Sequence, residues 1–259
     1  MYAYKHPIYT RGRIMTREIL ETMRDVSFDI PYVHYMNHTD GMIIPCSIKV
    51  TENTLIIGKG LMKWQDKLYI MTEPVTVDYY PTEEWRVLKI KFLPQTESKD
   101  FTLFDTEIFL DENIRIGEDE MEIGRFKLKA GSRLRQNYVD FHDLNTEFDT
   151  LNVILTPFAG IGSSTISPHI TRHFAREAYP HTISMPFDNG FICTCMSSER
   201  PISRELITGY VKARLALKKN YFSGDELYAH LSQILQDIKN GIAVDGYDRR
   251  TRGRKIFVE

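Results

Sequence analysis

Between residues 42 and 131 the apolar residues recur at a period of two, and no amphipathic helix interrupts the pattern. MIIPCSIKV (42 to 50), TLIIG (54 to 58), KLYIM (67 to 71), VTVDYY (75 to 80) and RVLKIKFL (86 to 93) are predicted strands separated by polar or glycine turns. In the last of these Leu88, Ile90 and Phe92 alternate with Lys89 and Lys91, as a sheet with one buried and one wet face requires. FTLFDTEIFL (101 to 110) and GRFKLKAG (124 to 131) add further strands, with the acidic turn GEDEME (117 to 122) before the second. Strands at this spacing argue for an antiparallel sandwich or barrel and against a βαβ dinucleotide fold in this half.

Helices flank this region. Thr16 can cap a short helix in which Ile19, Leu20 and Met23 share a face, and its predicted end is near Asp25. After residue 153 the run VILTPF breaks into the glycine loop AGIGSST and restarts as a helix at Ser167-Pro168, an N-cap followed by proline at the first helical position. Ile170, Phe174, Ala175 and Ala178 line its apolar face. FICTCMS (191 to 197) is predicted as a strand or extended segment. A second helix is expected from about Ile202 to Lys219, with Leu206, Ile207, Tyr210, Val211 and Leu215 as its stripe. A third starts at the capping box of Ser223 and Glu226, with Phe222 and Leu227 placed for a hydrophobic staple, and carries Leu231, Ile234, Leu235 and Ile238 to Gly241. The expected fold class is therefore α+β: an N-terminal antiparallel β-sandwich-like domain over residues 1–157, followed by a helical domain over 158–259 with a basic tail.

The chain has 259 residues, 42% of them apolar and 26% charged, which suits a globular protein with a sizeable core. Its net charge of -2 gives no global field towards nucleic acid or an anionic membrane. The three cysteines, Cys46, Cys193 and Cys195, form no disulfide framework, and MYAYKHPIYTRGR lacks the apolar core of a signal peptide, so a cytoplasmic setting is expected. No window approaches the ~20 apolar residues that span a bilayer, so direct membrane insertion is not expected.

Candidate chemistries are incomplete. Gly160 and Gly162 lack the third glycine of a dinucleotide fingerprint, and no Gly-Lys-Ser/Thr follows them. The loop reads as a joint more readily than as a phosphate cradle. His169 and His173 are spaced for one metal on one helix face, but no glutamate of a zinc-protease helix and no third ligand accompany them. Cys193 and Cys195 are too few for structural zinc and read as buried small apolar residues. Ser163 and Ser164 follow the glycines without a nucleophile elbow. Asp140, Asp143, Glu147 and Asp149 can serve as an acid/base or cation site, or simply as the polar face of a packed segment. No catalytic, cofactor or metal residue is assigned. Arg249, Arg250, Arg252, Arg254 and Lys255 form a basic tail suited to an acidic neighbouring subunit or to phosphates, and nucleic acid is the less expected partner.

YTRGRIMTREILETM (9 to 23), followed by GKGLMKWQDKLYIM (58 to 71), resembles the start of TssK-type baseplate proteins of type VI secretion and related contractile injection machines. TISPHITRHFA and PISRELITGYVKARLA are similar in order to the helical region that follows the β-sandwich there. The family's opening carries a tryptophan and a Pro-Gln-His-Phe-Gln type run, where this chain has Thr16, Arg17, Glu18 and Ile19. The chain is also shorter than family members, as though the domain that reaches the membrane complex were missing, so docking to a membrane partner is not carried over. The resemblance implies a trimeric structural subunit that contacts wedge components and has no catalytic residues to transfer.

The leading expectation is thus a structural baseplate or assembly subunit, a dimer or trimer bound to other baseplate and wedge proteins. Its expected partner-binding residues are Leu206, Tyr210, Leu231, Leu235, Arg249, Arg250, Arg252 and Arg254. The alternative is an enzyme or nucleotide-binding protein using the Gly160–Ser164 loop with the acids at 140 to 149.

Overall fold

A computed structural model describes residues 8–182 and 185–242. The chain is α+β, with its sheets in the N-terminal half and most helices in the C-terminal half. Helix α1 (Arg17–Tyr35) comes first, and Thr16 caps it by accepting from the Ile19 amide at 3.4 Å. The helix does not stop near Asp25. It runs through Pro31 and is closed at its far end by Lys63, whose Nζ donates to the carbonyls of Met36 (3.1 Å) and His38 (2.7 Å). A cation at a helix C-terminus meets the negative end of the dipole as well as the orphan carbonyls.

Three small antiparallel sheets follow. Strands β1 (Gly41–Ile44), β4 (Gly60–Trp64) and β5 (Lys67–Met71) pair in the order β1-β4-β5. Strands β2 (Ile48–Val50), β3 (Thr54–Ile57) and β6 (Val75–Asp78) make the second, in the order β2-β3-β6. The segment 42–50 is therefore two strands in different sheets, divided at Pro45, which has no N–H to give a ladder. In the third sheet β7 (Arg86–Phe92) lies between β10 (Thr106–Asp111) and β11 (Glu120–Phe126). A two-stranded ribbon of β8 (Thr96–Glu97) and β9 (Thr102–Leu103) projects beside it. The expected acidic turn is shortened, because β11 already begins at Glu120.

All three sheets contribute to one apolar cluster: Met42 and Met62 from the first, Leu55 and Ile57 from the second, and Leu88, Ile90, Phe92, Ile123 and Phe126 from the third. Each such side chain contributes about 1.5–3 kcal/mol on full burial. Lys91 is exposed as its place in the alternation requires, but Lys89 is buried. Its Nζ donates to Asp111 (2.8 Å), Glu120 (3.0 Å) and the Arg115 carbonyl (2.6 Å). Burial works to lower the Lys89 pKa, but the hydrogen bonds to Asp111 and Glu120 outweigh it and leave the pKa raised.

The second cluster is helical. Helix α2 (Pro168–Ala178) is capped by Ser167, α3 (Pro186–Ser197) and α4 (Arg204–Leu215) follow, and α5 (Gly224–Lys239) starts at a complete capping box of Ser223 and Glu226. Residues 191–197 are thus helical, where an extended segment was expected, because the helix begins five residues earlier at Pro186. Ile170, Phe174, Ile192, Ile207, Leu231 and Leu235 form the centre of this core. Phe141, Leu144 and Ile154 join it from before residue 157. Inside it Asp188 accepts from Tyr210 Oη (2.9 Å) and Arg214 Nε (3.1 Å), a buried ion pair linking α3 to α4.

The two clusters meet at the glycine loop. Met42 N donates to the Pro157 carbonyl (2.9 Å) and Ala159 N to the Met42 carbonyl (2.8 Å), so residues 157–159 run beside β1. Gly41 allows this approach, since a Cβ there would stand 2.8 Å from the Ala159 nitrogen.

Candidate interaction surface

Helix α1 has 19 residues and not one of them is buried. Its first turns carry Arg17, Glu21, Arg24 and Asp25 on one side, with Arg17 and Glu21 paired at 2.6 Å. The opposite side carries Ile19, Met23, Val26, Ile30 and Val33, spaced four, three, four and three residues apart. Such spacing keeps one narrow stripe in line along a helix. Ile19 is half-buried, whereas Met23 and Val26 are each 45% exposed, Val33 59% and Ile30 67%. Tyr9 touches the stripe at Met23 Sδ (2.8 Å) and is itself exposed, so it widens the apolar surface instead of covering it.

The later half of α1 has a second apolar side. Phe28, Pro31 and Tyr32 line a groove of about 900 Å³ against Leu68, Ile70 and Ile108 of β5 and β10. One side of the helix therefore faces the sheets of its own chain, whereas Ile30 on the other side is 67% exposed. His38, just beyond the helix, has a lowered pKa: burial acts first, followed by the charges of His34, Lys63 and Arg200.

A second cleft, of about 510 Å³, lies between the β1–β2 connection and α2. His169, His173, Arg176, Cys46 and Tyr138 are among its lining residues. Both histidines have lowered pKa values. For each, burial acts first, then His173, Arg172 and Arg176 on His169, and Arg176 on His173. Tyr138 donates to the Leu151 carbonyl (2.6 Å) and meets His173 edge-on, while burial pushes its hydroxyl up to about 12. Burial likewise raises the Cys46 thiol to about 11, which removes it as a thiolate nucleophile near neutral pH. Among the described residues no group of three or more His, Cys, Asp and Glu side chains could hold a metal ion.

The sequence-derived candidates fall in different places. Leu206 is exposed on α4, but Tyr210, Leu231 and Leu235 are buried in the helical core and present nothing to a partner in this conformation. Arg249, Arg250, Arg252 and Arg254 lie outside the described residues. Cys195 is buried with its thiol raised to about 12, whereas Cys193 is exposed, because a helical turn sends the two in different directions.

The glycine loop is closed by its own backbone. Phe158 and Thr165 exchange both amide hydrogen bonds, and Gly160 pairs with Thr39. A Cβ on Gly160 would fall 2.4 Å from the Ser163 carbonyl, so this glycine serves the turn. The four acids are engaged elsewhere: Asp143 with Arg135, Glu147 with Lys127, Asp149 with the Lys129 amide and Asp140 with the Asp143 amide. Ser163 lines a cavity with Arg204, Lys212 and Tyr221, and none of those acids reaches it.

The stripe from Ile19 to Val33 was missed in the sequence because the helix was expected to end at Asp25. Its four-three repeat was the signal available.

No family model matches the chain, and no curated protein matches it. Among solved structures it has a weak structural resemblance to TssK and to baseplate complexes. A crystal structure of TssK is 6% identical, with 92% of this chain and 72% of that one covered at a TM-score of 0.46. The TssK-TssF-TssG baseplate subcomplex of the type VI secretion system, seen by cryo-electron microscopy, is 7% identical over 91% of this chain and 99% of the other, at 0.40. The baseplate complex from the type VI secretion system is 10% identical over 91% and 100%, at 0.36. Among the described residues no helix is long and apolar enough to cross a membrane.

Proposed function

We propose that this chain is a structural subunit of a contractile-injection baseplate, phage-tail-like or type VI-like, acting by self-association and by binding other baseplate proteins. The observation that carries the assembly role is α1, a 19-residue helix with an apolar stripe and no buried residue. Exposed contiguous apolar surface of this kind marks a protein contact in a soluble chain. The baseplate setting is supported by the resemblance of residues 9–23 and 58–71, and of the segments around α2 and α4, to TssK-type sequences. The division into domains at residues 157 and 158 belongs to the same proposal.

Two measurements test it. Light scattering at high micromolar concentration is expected to give a salt-resistant oligomer, since apolar contacts do not weaken with screening. Co-expression with neighbouring baseplate subunits is expected to give a complex that survives gel filtration. A strict monomer that retains none of those subunits would overturn the proposal.

A further inference from the structure

The cleft between the β1–β2 connection and α2 combines an apolar floor with a rim rich in hydrogen-bond donors. Met42, Ile123, Leu151 and Phe158, each no more than 2% exposed, belong to the sheet-side core and also line the cleft. Arg176, His169, His173, Gln136, Asn137 and Thr156 are among its polar lining, and among the described residues no aspartate or glutamate lines it. A concavity of about 510 Å³ with an apolar body and a few convergent polar groups has the size and make-up of a small-molecule site.

Three of the polar groups have bonding capacity to spare. Arg176 is exposed and makes no ion pair or hydrogen bond among the described residues. The acid beside it in sequence, Glu177, is taken by Lys239 and by the Phe141 amide. Thr156 is 5% exposed, and its Oγ1 is buried without a hydrogen-bond partner among the described residues. Gln136 spends its Oε1 on the Val50 amide, which leaves the Nε2 donors for another acceptor. Burial makes the threonine's shortfall costly, and a planar guanidinium beside an apolar wall offers a carboxylate two parallel donors. Burial first, and cationic neighbours after it, lower the pKa values of His169 and His173, and Arg176 is one of those neighbours in both cases. Its field therefore reaches both rings at the rim.

We propose that this cleft binds a small organic carboxylate with an apolar body, the carboxylate paired with Arg176 and the body laid on Met42, Ile123, Leu151 and Phe158. Thr156 Oγ1 and Gln136 Nε2 are the donors for a second acceptor on the ligand. Arg176 is the only lysine or arginine among the lining residues, so a single negative charge is matched and a dianionic phosphate is not. The site goes beyond the assembly reading and does not depend on it, since no residue of α1 lines the cleft.

The test titrates the full chain by calorimetry with phenylacetate, 4-phenylbutyrate and octanoate, and with 4-phenylbutanol as the uncharged control. At least one acid is expected to bind with sub-millimolar affinity, the alcohol about tenfold more weakly, and Arg176→Gln to weaken the acid by about the same factor. Asn137→Trp, at an exposed lining position, should block the acid in a chain that melts like the wild type. The ring resonances of His169 and His173 should shift on binding, which places the ligand in this cleft. If no acid binds at about 10 mM, or the alcohol binds as well as its acid, the assignment is overturned. Unchanged affinity in Arg176→Gln overturns it too, as does binding that neither Asn137→Trp nor the histidine rings register. A capped Phe-Glu dipeptide that binds more tightly than every free acid would give the cleft to a polypeptide segment and overturn the small-molecule reading. None of these outcomes touches the assembly reading, which light scattering and co-expression decide separately.

Discussion

Helices α1 and α5 are both amphipathic, both begin at a hydroxyl N-cap, and end in opposite situations. In α5 the buried residues Leu227, Tyr228, Leu231, Ile234, Leu235 and Ile238 make a broad face that sinks into the helical core. In α1 the apolar residues lie on the Ile19–Val33 stripe and on the second side at Phe28, Pro31 and Tyr32, and none is buried. Burial separates the two cases. An apolar face sunk in the core is satisfied inside one chain, whereas an exposed one is left for a partner. Amphipathicity alone says that a helix has somewhere to go, and the burial of its apolar residues says whether its own chain supplies the place.

The largest effect that would break this contrast is at the polar heart of the α5 side. Asp188→Ala removes the carboxylate that holds both Tyr210 and Arg214, and Arg214 is itself buried. An uncompensated buried guanidinium costs about 3–5 kcal/mol, and chemical denaturation should show a loss of that size. A loss under about 1 kcal/mol would mean that water reaches the pair and that the helical core is looser than described.

Next in size is the paired comparison of Leu231→Ala with Ile30→Ala. Leu231 is fully buried, and its truncation should cost about 2–5 kcal/mol. Ile30→Ala should change unfolding of the dissociated chain by no more than about 0.5 kcal/mol, while weakening self-association. If both destabilise the monomer alike, α1 packs intramolecularly in solution and the contrast fails.

How much of this was legible in the sequence depended on whether the deciding contacts were local. Ser167-Pro168 and the Ser223–Glu226 box lie within one helical turn, and both caps stand where the residues placed them. Most strands between 54 and 92 were equally readable from their alternation. Lys89 was not, because its acceptors arrive from β10 and from the approach to β11, more than twenty residues on. Residues 191–197 are a short apolar run that fits a strand or a buried helix, and the choice was made by a helix start at Pro186. Helix α1 was expected to end near Asp25, and the clamp from Lys63 that closes it lies 27 residues beyond Met36 in the sheet. The candidate surface was hidden by that one early stop.

The Lys89 cluster sharpens the comparison from the β side, since it is a site satisfied within the chain, as α5 is. The hydrogen bond from Lys89, then the Asn113 amide, holds Asp111 below the usual carboxylate range. Glu120 is lowered by the Gly117 amide first and by Lys89 second. Carboxylates with depressed folded values contribute stability that is present above their unfolded pKa, about 4, and lost as pH falls through the folded values. Lys89 has the opposite sign: its raised value contributes below the unfolded pKa, about 10.4, and that part is lost as pH rises through the folded one. Wild-type stability should therefore fall on acidification below about pH 4, and Lys89→Met should flatten that acid limb.

The smallest effects are at the caps. Ser223→Ala opens a reciprocal pair in which the serine accepts from the Glu226 amide and the Glu226 carboxylate accepts from the Ser223 amide. Because α5 unfolds with the core it lines, the loss of about 1 kcal/mol should appear in global denaturation. Thr16→Ala removes the equivalent acceptor for the Ile19 amide. Helix α1 contributes no buried residue to either core, so its first turn can fray without unfolding the rest. Global stability should then be unchanged, while hydrogen exchange at the Ile19 amide quickens in the dissociated chain and is protected again on association. A Thr16→Ala penalty as large as that of Ser223→Ala would show that α1 folds as part of the core, and the two helices would no longer belong to different classes.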